Sequence, residues 1–395
     1  MRNVTGAVAQ GEDFFDREKE IESFWADLDT DSLLLLAPRR VGKTSLMRKM
    51  AEQAPDRDYT PIFVDVSDCP DELRFVQRLY TAILETDAGD RLWLRMKDSW
   101  LGRTIERVQK VGGYGFSVEF GANESSWARQ GEEFVDALSR LEGRWLVQVD
   151  ELPVFLLKRL TPDESGRGRV REFLYWLRRV RQQFSGIRWF LAGSIGLDTV
   201  TARLNMADAI NDLRIVTLGA FDAETADALL ARLASAYEIE LSKDVRRHIV
   251  TRAGWPAPYY LQLIFHGLRS VKRAATVADV DAGIDGLLGP QHRSYFDYWR
   301  QRLFEELGTP DAQYAIGLLN AACRVPAGVS RTVLSHTLGA SLADPRAREE
   351  KLRHVLDVLR NDGYLVEADN GWSFQFPLLR EYWLRRVAPL ENSHD

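Results

Sequence analysis

The stretch from Leu33 to Met47, reading LLLLAPRRVGKTSLM, constrains this chain more than any other. Its leucine run, Leu33 to Leu36, has the length and apolarity of a buried strand. The loop Pro38-Arg39-Arg40-Val41-Gly42 follows, and Lys43-Thr44-Ser45 then opens an amphipathic helix carrying Leu46, Met47 and Met50. The spacing meets G-x-x-x-x-G-K-[ST] at three of four fixed positions, with Ala37 in place of the first glycine. Strand, loop and helix in this order aim backbone N–H groups at a phosphate. Gly42 lets the backbone approach without a Cβ, Lys43 neutralises β/γ oxygens, and the Thr44 hydroxyl suits Mg²⁺. Ala37 is the smallest available substitute at the turn out of the strand.

Length and composition narrow the rest. A chain of 395 residues is long enough for two or three domains. Its 45% hydrophobic and 28% charged residues are those of a globular protein. No apolar run approaches the ~20 residues that span a bilayer, and the first residues lack a signal-peptide core. The expectation is a cytoplasmic protein with no membrane partner. Cys69 and Cys323 are far apart and no CxxC or His/Cys cluster occurs, so a zinc site is not expected and the thiols are read as reduced. The net charge of −6 argues against a broad basic nucleic-acid surface, though not against a local patch.

Along the chain, residues 1–11 read as a loose tail. Ile21, Phe24, Trp25 and Leu28 then have helical spacing, with Asp16 as the expected N-cap. Pro61 to Val66 reads as a second buried strand, and Asp71 to Thr86 as a helix. Leu92 to Val111 is compatible with one helix, and Val111 to Gly121 with a glycine-flanked strand or hairpin. Gly113-x-Gly115 is no dinucleotide loop, because Val118 stands where the third glycine belongs. Trp127 to Leu141 is a helix. Arg144 to Val149 is an apolar strand that ends in Asp150-Glu151, about a hundred residues after the phosphate loop. Such an acid serves Mg²⁺, and the glutamate after it can polarise an attacking water. Arg169 to Phe184 is a helix whose basic face, with Arg171, Arg178, Arg179 and Arg181, is read as solvated, a subunit contact being the alternative. Ile187 to Ala192 and Arg214 to Leu218 are further strands. This alternation predicts a doubly wound parallel α/β sheet with its site at the strand C-termini.

From Asp222 the strands stop. Helical patterns at 222–236, 242–252, 257–271 and 277–287, broken at Gly254-Trp255-Pro256, predict a small helical domain. Beyond residue 290 come a helix marked by Tyr295 to Leu303, then helices at Ala315–Ala322, Arg331–Leu338 and Arg346–Arg360. Short strands at 363–367 and 372–376 and a last helix, Leu378 to Val387, complete a winged-helix arrangement. The expected division is a tail to residue 11, a core over 12–219, a helical lid over 220–289, a winged helix over 290–390 and a tail over 391–395.

Taken together, these motifs resemble the STAND/AAA-type P-loop ATPases, specifically the archaeal-type ATPase family that also occurs widely in bacteria. The resemblance runs from Phe14 to about Trp383. Phe15-Asp16-Arg17-Glu18-Lys19-Glu20-Ile21 looks like the family's F-x-G-R-E-x-E-L, with Asp16 for the glycine, and Ala37 to Thr44 looks like G-x-R-R-x-G-K-[ST]. Asp150-Glu151 matches the acid pair, Gly193-Ser194 the strand tip that senses the γ-phosphate, and Gly254-Trp255-Pro256 the lid's G-x-P turn. Asn361 to Leu365 and Phe376 to Arg380 resemble the winged-helix segments. No lid arginine stands near Pro256, as in STAND proteins.

The resemblance implies an α/β P-loop NTPase core, a helical lid and a C-terminal winged helix, with ATP/ADP and Mg²⁺ as cofactors. Arg17 and Pro256 would lie on the adenine side and Pro38 to Ser45 around the phosphates. Thr44 and Asp150 would serve Mg²⁺. Glu151, Lys43 and Ser194 would be the catalytic residues, and Arg214 stands near the place of a trans-acting arginine. Such an arginine is worth about 10³–10⁵ in rate, so slow turnover is expected of a monomer. The favoured activity is a slowly hydrolysing switch that relays nucleotide state to a protein partner, with nucleotide-dependent homo-oligomers in view. The alternative is an ATP-gated DNA-binding protein similar to replication-initiator or transposition ATPases. A third reading, a nucleotide-locked scaffold, is opposed by the intact Asp150-Glu151 pair. Residues 290–395 carry a net charge of only −1, and the helix 346–360 one of +2, which is weak for phosphate contacts.

Overall fold

The computed structural model describes residues 1–96, 105–110, 113–118, 127–159, 164–193, 197, 200–201, 206–271, 274–339, 341–368 and 371–388. The chain divides into two units, one holding 17–36 and 43–218, the other 1–16, 37–42 and 219–395.

The first unit runs α1 (Glu18–Leu28), β1 (Ser32–Leu36), α2 (Lys43–Gln53), β2 (Tyr59–Asp65), α3 (Glu72–Leu84), α4 (Gly89–Met96), β3 (Ile105–Lys110), β4 (Gly113–Val118), α5 (Trp127–Ser139), β5 (Arg144–Asp150), α6 (Leu152–Arg159), α7 (Glu164–Gln183), β6 (Ile187–Gly193) and β7 (Leu213–Thr217). Five strands form a parallel sheet in the order β2-β5-β6-β1-β7. Leu33, Leu34 and Leu35 are buried, as continuous apolar strands of a sheet covered on both faces must be. The register sets Asp65 opposite Asp150 at the C-terminal ends of β2 and β5. Buried Gln148 donates from Nε2 to the Met47 carbonyl at 2.9 Å and so pins α2 to β5. An aromatic cluster beside the sheet includes Phe75 edge-on to Phe173 at 4.9 Å and Trp127 to Trp176 at 5.4 Å. Gly131 admits the Trp176 ring, which would lie 2.4 Å from a Cβ there.

Several expectations need correction here. Within the span Leu92 to Val111, where one helix is expected, Ile105–Lys110 is a strand that pairs antiparallel with Gly113–Val118. Gly113 and Gly115 are therefore strand residues. Asp16 does not cap α1: Arg17 is the N-cap, with no side-chain capping bond, and both residues have positive φ, 59° and 81°. The left-handed backbone explains why glycine suits position 16 in the resembling pattern, and aspartate tolerates it better than most residues. The basic face of α7 is engaged internally rather than solvated throughout. Arg181 is buried on Asp212 at 2.8 Å, Arg179 pairs with Glu132 at 2.5 Å, and Arg178 reaches the Asp208 carbonyl at 2.5 Å. Helix α6 was not anticipated.

The second unit carries α8 (Ala223–Ala236), α9 (Lys243–Ala253), α10 (Pro258–Gly267), α11 (Val277–Leu287), α12 (Asp297–Leu307), α13 (Asp311–Ala322), α14 (Arg331–Gly339), α15 (Pro345–Asn361), β8 (Leu365–Ala368), β9 (Gly371–Phe374) and α16 (Pro377–Tyr382), which continues as a π-helical turn to Val387. Side-chain caps at Asp222 and Ser242 start α8 and α9, and a Thr276/Asp279 capping box starts α11. β8 and β9 form an antiparallel hairpin, and Val329 bridges to Trp372. The helix–helix–helix–hairpin order expected after residue 310 is present. The first residues are tied down rather than loose. Asn3 donates its backbone N–H to the Tyr237 hydroxyl at 2.9 Å and its side-chain amide to the Gln262 carbonyl at 3.1 Å, while Arg2 pairs with Asp13 at 2.7 Å.

Candidate functional site

Lys43 and Thr44 begin α2, Asp150 ends β5, and Glu151 follows it. Thr44 Oγ1 donates to Asp150 Oδ2 at 2.6 Å. The Glu151 backbone N–H donates to Asp150 Oδ1 at 3.0 Å, so both carboxylate oxygens are held. Asp150 is 2% exposed. Burial raises its pKa above the ordinary carboxylate value and the Glu151 charge adds to the rise, against the Thr44 hydrogen bond and the Lys43 charge. Lys43 is buried. Glu151 has φ +59°, a left-handed turn between β5 and α6 that is strained for a residue with a Cβ.

The donor chemistry fits Mg²⁺. A hydroxyl and a carboxylate, both hard oxygen ligands, already face each other, and among the described residues no group of three His, Cys, Asp or Glu forms a metal cage. A magnesium ion held by few side chains plus phosphate oxygens needs no such cage.

The loop 37–42 belongs to the second unit and is described within it. Gly42 has φ +99° with open space where a Cβ would stand, and Arg40 has φ +70°. Val41 is buried, and Ser45 is half-buried in the first turn of α2. The Arg40 Cζ lies 4.1 Å from the Tyr259 ring centroid and 5.1 Å from that of Tyr298, and the Arg39 Cζ lies 5.9 Å from the Tyr298 ring. Burial pushes Tyr259 up to about 12, against the nearby Arg40 charge, so its ring stays neutral at physiological pH. A Cβ on Gly363 would fall 3.1 Å from Pro38 Cβ, and φ there is +79°.

Two solved structures share this fold over nearly the whole chain. The Walker-type ATPase paby2304 of Pyrococcus abyssi is 17% identical, covering 97% of this chain and 99% of its own, with a TM-score of 0.63. The ORC2 protein of Aeropyrum pernix, in its ADPNP-ADP complexes, is 13% identical, covering 97% of each chain, with a TM-score of 0.56. No family model and no curated protein matches. The fold is therefore a P-loop NTPase α/β core with a C-terminal helical region.

The other expected site residues fall as follows. Arg17 is buried and pairs with Glu20 at 2.6 Å. Pro256 is half-buried and accepts the Phe221 backbone N–H at 3.2 Å. The neighbouring Trp255 ring meets Phe376 at 4.9 Å, and Gly254 packs where a Cβ would touch Pro377 at 2.3 Å. Ser194 lies outside the described residues. Arg214 sits opposite Leu33, near the N-terminal end of β1, and pairs with Asp31 at 2.8 Å and Asp27 at 3.4 Å. The sheet unit thus brings together Lys43, Thr44, Asp150 and Glu151 and leaves Arg214 at the far end of β7. Tyr259 and Tyr298 were missed. They are remote from the loop in sequence, and nothing local marks a tyrosine as an arginine's partner.

Proposed function

We propose that this chain binds Mg-ATP and hydrolyses it slowly, as a switch whose lid and winged helix relay nucleotide state to a protein partner. The observation that carries the reading is the Thr44–Asp150 hydrogen bond, which joins the two halves of the motif pair in a P-loop fold. Lys43 and the N–H groups of Arg39 to Thr44 hold β/γ-phosphate oxygens. Thr44 and Asp150 would hold Mg²⁺, which when bound would neutralise phosphate charge. Glu151 would accept a proton from the attacking water. Arg214 would have to leave Asp31 and Asp27 to act in trans, and we assign it no step. The proposed boundaries are a core over 12–219, a lid over 220–289 and a winged helix over 290–390.

A protein partner is placed ahead of DNA because most of the lysine and arginine side chains of α14 and α15 are spent on their own unit. Arg331 pairs with Glu349, Lys351 with Asp311 at 2.8 Å, Arg360 with Asp357 at 3.0 Å, and Arg348 donates to the Leu342 and Ala343 carbonyls. Among the described residues, Arg346 and Arg353 are the basic side chains of α15 without such a contact. Few free cations mean few released counterions and weak affinity for a phosphate backbone. No described helix is long and apolar enough to cross a membrane.

The test is steady-state turnover of wild type and Glu151→Gln, with and without duplex DNA. The expected result is slow Mg-dependent hydrolysis, indifferent to DNA and reduced about 10²- to 10⁴-fold in the variant with binding retained. Equal turnover by the two proteins would remove Glu151 from its role. Stimulation by DNA would favour the DNA-gated reading.

A further inference from the structure

The phosphate loop carries two arginines whose side chains the motif itself does not require. Among the described residues no carboxylate pairs with Arg40. Its guanidinium lies instead over two rings, Tyr259 on α10 and Tyr298 on α12, at 4.1 and 5.1 Å. Its backbone is left-handed, φ +70°, a conformation that a long side chain keeps only when its surroundings enforce it. On the same loop Pro38 packs against Gly363, a close approach that any side chain at position 363 would crowd. Aromatic faces attract a guanidinium without neutralising it, unlike a carboxylate. The loop therefore keeps its positive charge while its shape is held from outside the motif.

We infer that Tyr259 and Tyr298 are positioning residues for the phosphate loop, and that through Arg40 they make α10 and α12 sense whether a phosphate occupies it. The inference rests on the ATPase reading above and says which contact does the relaying. A phosphate drawn into the loop competes with the rings for the guanidinium and changes the loop backbone that the rings support. Helices α10 and α12 belong to the segments expected to be lid and winged helix, so one arginine touches both. Each contact is modest, yet two rings on one cation are enough to bias a switch by a measurable factor.

The experiment uses the full chain and the variants Tyr298→Phe, Tyr298→Leu and Arg40→Gln. It measures release of a fluorescent ADP analogue in Mg²⁺ and amide hydrogen exchange of Asp297–Leu307 with and without ADP. Tyr298→Phe keeps the ring face and is expected to match wild type. Tyr298→Leu is expected to change ADP release about three- to tenfold and to erase the ADP-dependent difference in exchange. Arg40→Gln removes the cation from an exposed position and is expected to do the same, which covers the case in which Tyr298→Leu fails to fold. An ADP-dependent exchange difference that survives Arg40→Gln unchanged overturns the inference alone. Failure of wild type to bind the analogue overturns the ATPase reading with it.

Discussion

At the N-terminal end of the parallel sheet, charges are exposed and matched. Arg214 on β7 takes Asp31 and Asp27, Arg144 takes Asp29 at 3.4 Å, and Arg188 donates to the Leu28 and Asp29 carbonyls at 2.8 Å. At the C-terminal end Asp150 is buried, hydrogen-bonded by a hydroxyl and a backbone N–H, with the charge of buried Lys43 acting on it. The two ends shift a carboxylate in opposite directions. Asp31 is held below its ordinary pKa, chiefly by hydrogen bonds from Arg214 and Thr30, while burial holds Asp150 above its own. The first arrangement is complete without a ligand. The second holds a carboxylate in a buried place where its charged form is disfavoured, the kind of environment that marks candidate binding sites.

The most severe way to break this contrast is Asp150→Asn. The amide is isosteric. Its oxygen can accept from the Glu151 N–H and its NH₂ can donate to Thr44 Oγ1, so the fold keeps its hydrogen bonds. Loss of the anion is expected to weaken Mg-nucleotide binding about 10- to 100-fold, measured by titration of a fluorescent nucleotide in Mg²⁺ against EDTA. Stability of the nucleotide-free protein should move the other way. A raised folded-state pKa means the fold prefers the protonated acid, so wild type loses stability as pH rises from about 3.8 through the folded value. The variant lacks that loss. It should melt above wild type at pH 7 and coincide with it near pH 3. A variant that melts well below wild type at pH 7 would falsify the claim that burial disfavours the Asp150 charge.

This end of the sheet was legible in the sequence because its chemistry is local. Lys43-Thr44 follows a leucine strand, Asp150-Glu151 ends another, and continuous apolar runs mark buried parallel strands without long-range information. What was not legible depends on distant partners. Ile105–Lys110 reads IERVQK, with no clear alternation, and becomes a strand only because Gly113–Val118 pairs with it. Asn3 is ordered by Tyr237 and Gln262, residues that a scan of the first turn of sequence never meets. The Arg40 rings belong to the same class. Asp16 is different: its positive φ was hidden in a substitution for glycine, where a cap was the simpler reading of an aspartate before a helix.

Asp31→Asn sharpens the contrast with a smaller effect of opposite sign. A lowered folded-state pKa contributes stability that is present above about 3.8 and lost as pH falls through the folded value. The variant should therefore melt slightly below wild type at pH 7 and converge with it in acid. Salt should shrink the difference, because the pair with Arg214 is exposed and screened. A melting series at pH 3 to 7, in low and moderate salt, reads both slopes.

Arg214→Ala carries the smallest expected effect and separates architecture from assembly. Arg214 is half-exposed, and ion pairs of that kind contribute little to stability, so the melting temperature should stay within its experimental spread. Turnover at low protein concentration should also be unchanged, since Arg214 stands near the N-terminal end of β1 while the phosphate loop follows its C-terminal end. Turnover at high concentration is the informative arm. If hydrolysis per chain rises with wild-type concentration and fails to rise in Arg214→Ala, the arginine leaves its carboxylates to serve a neighbouring copy, and the N-terminal end of the sheet is a subunit surface. If both proteins respond alike, Arg214 is a surface ion pair and nothing more, and the functional asymmetry of the sheet is complete within one chain.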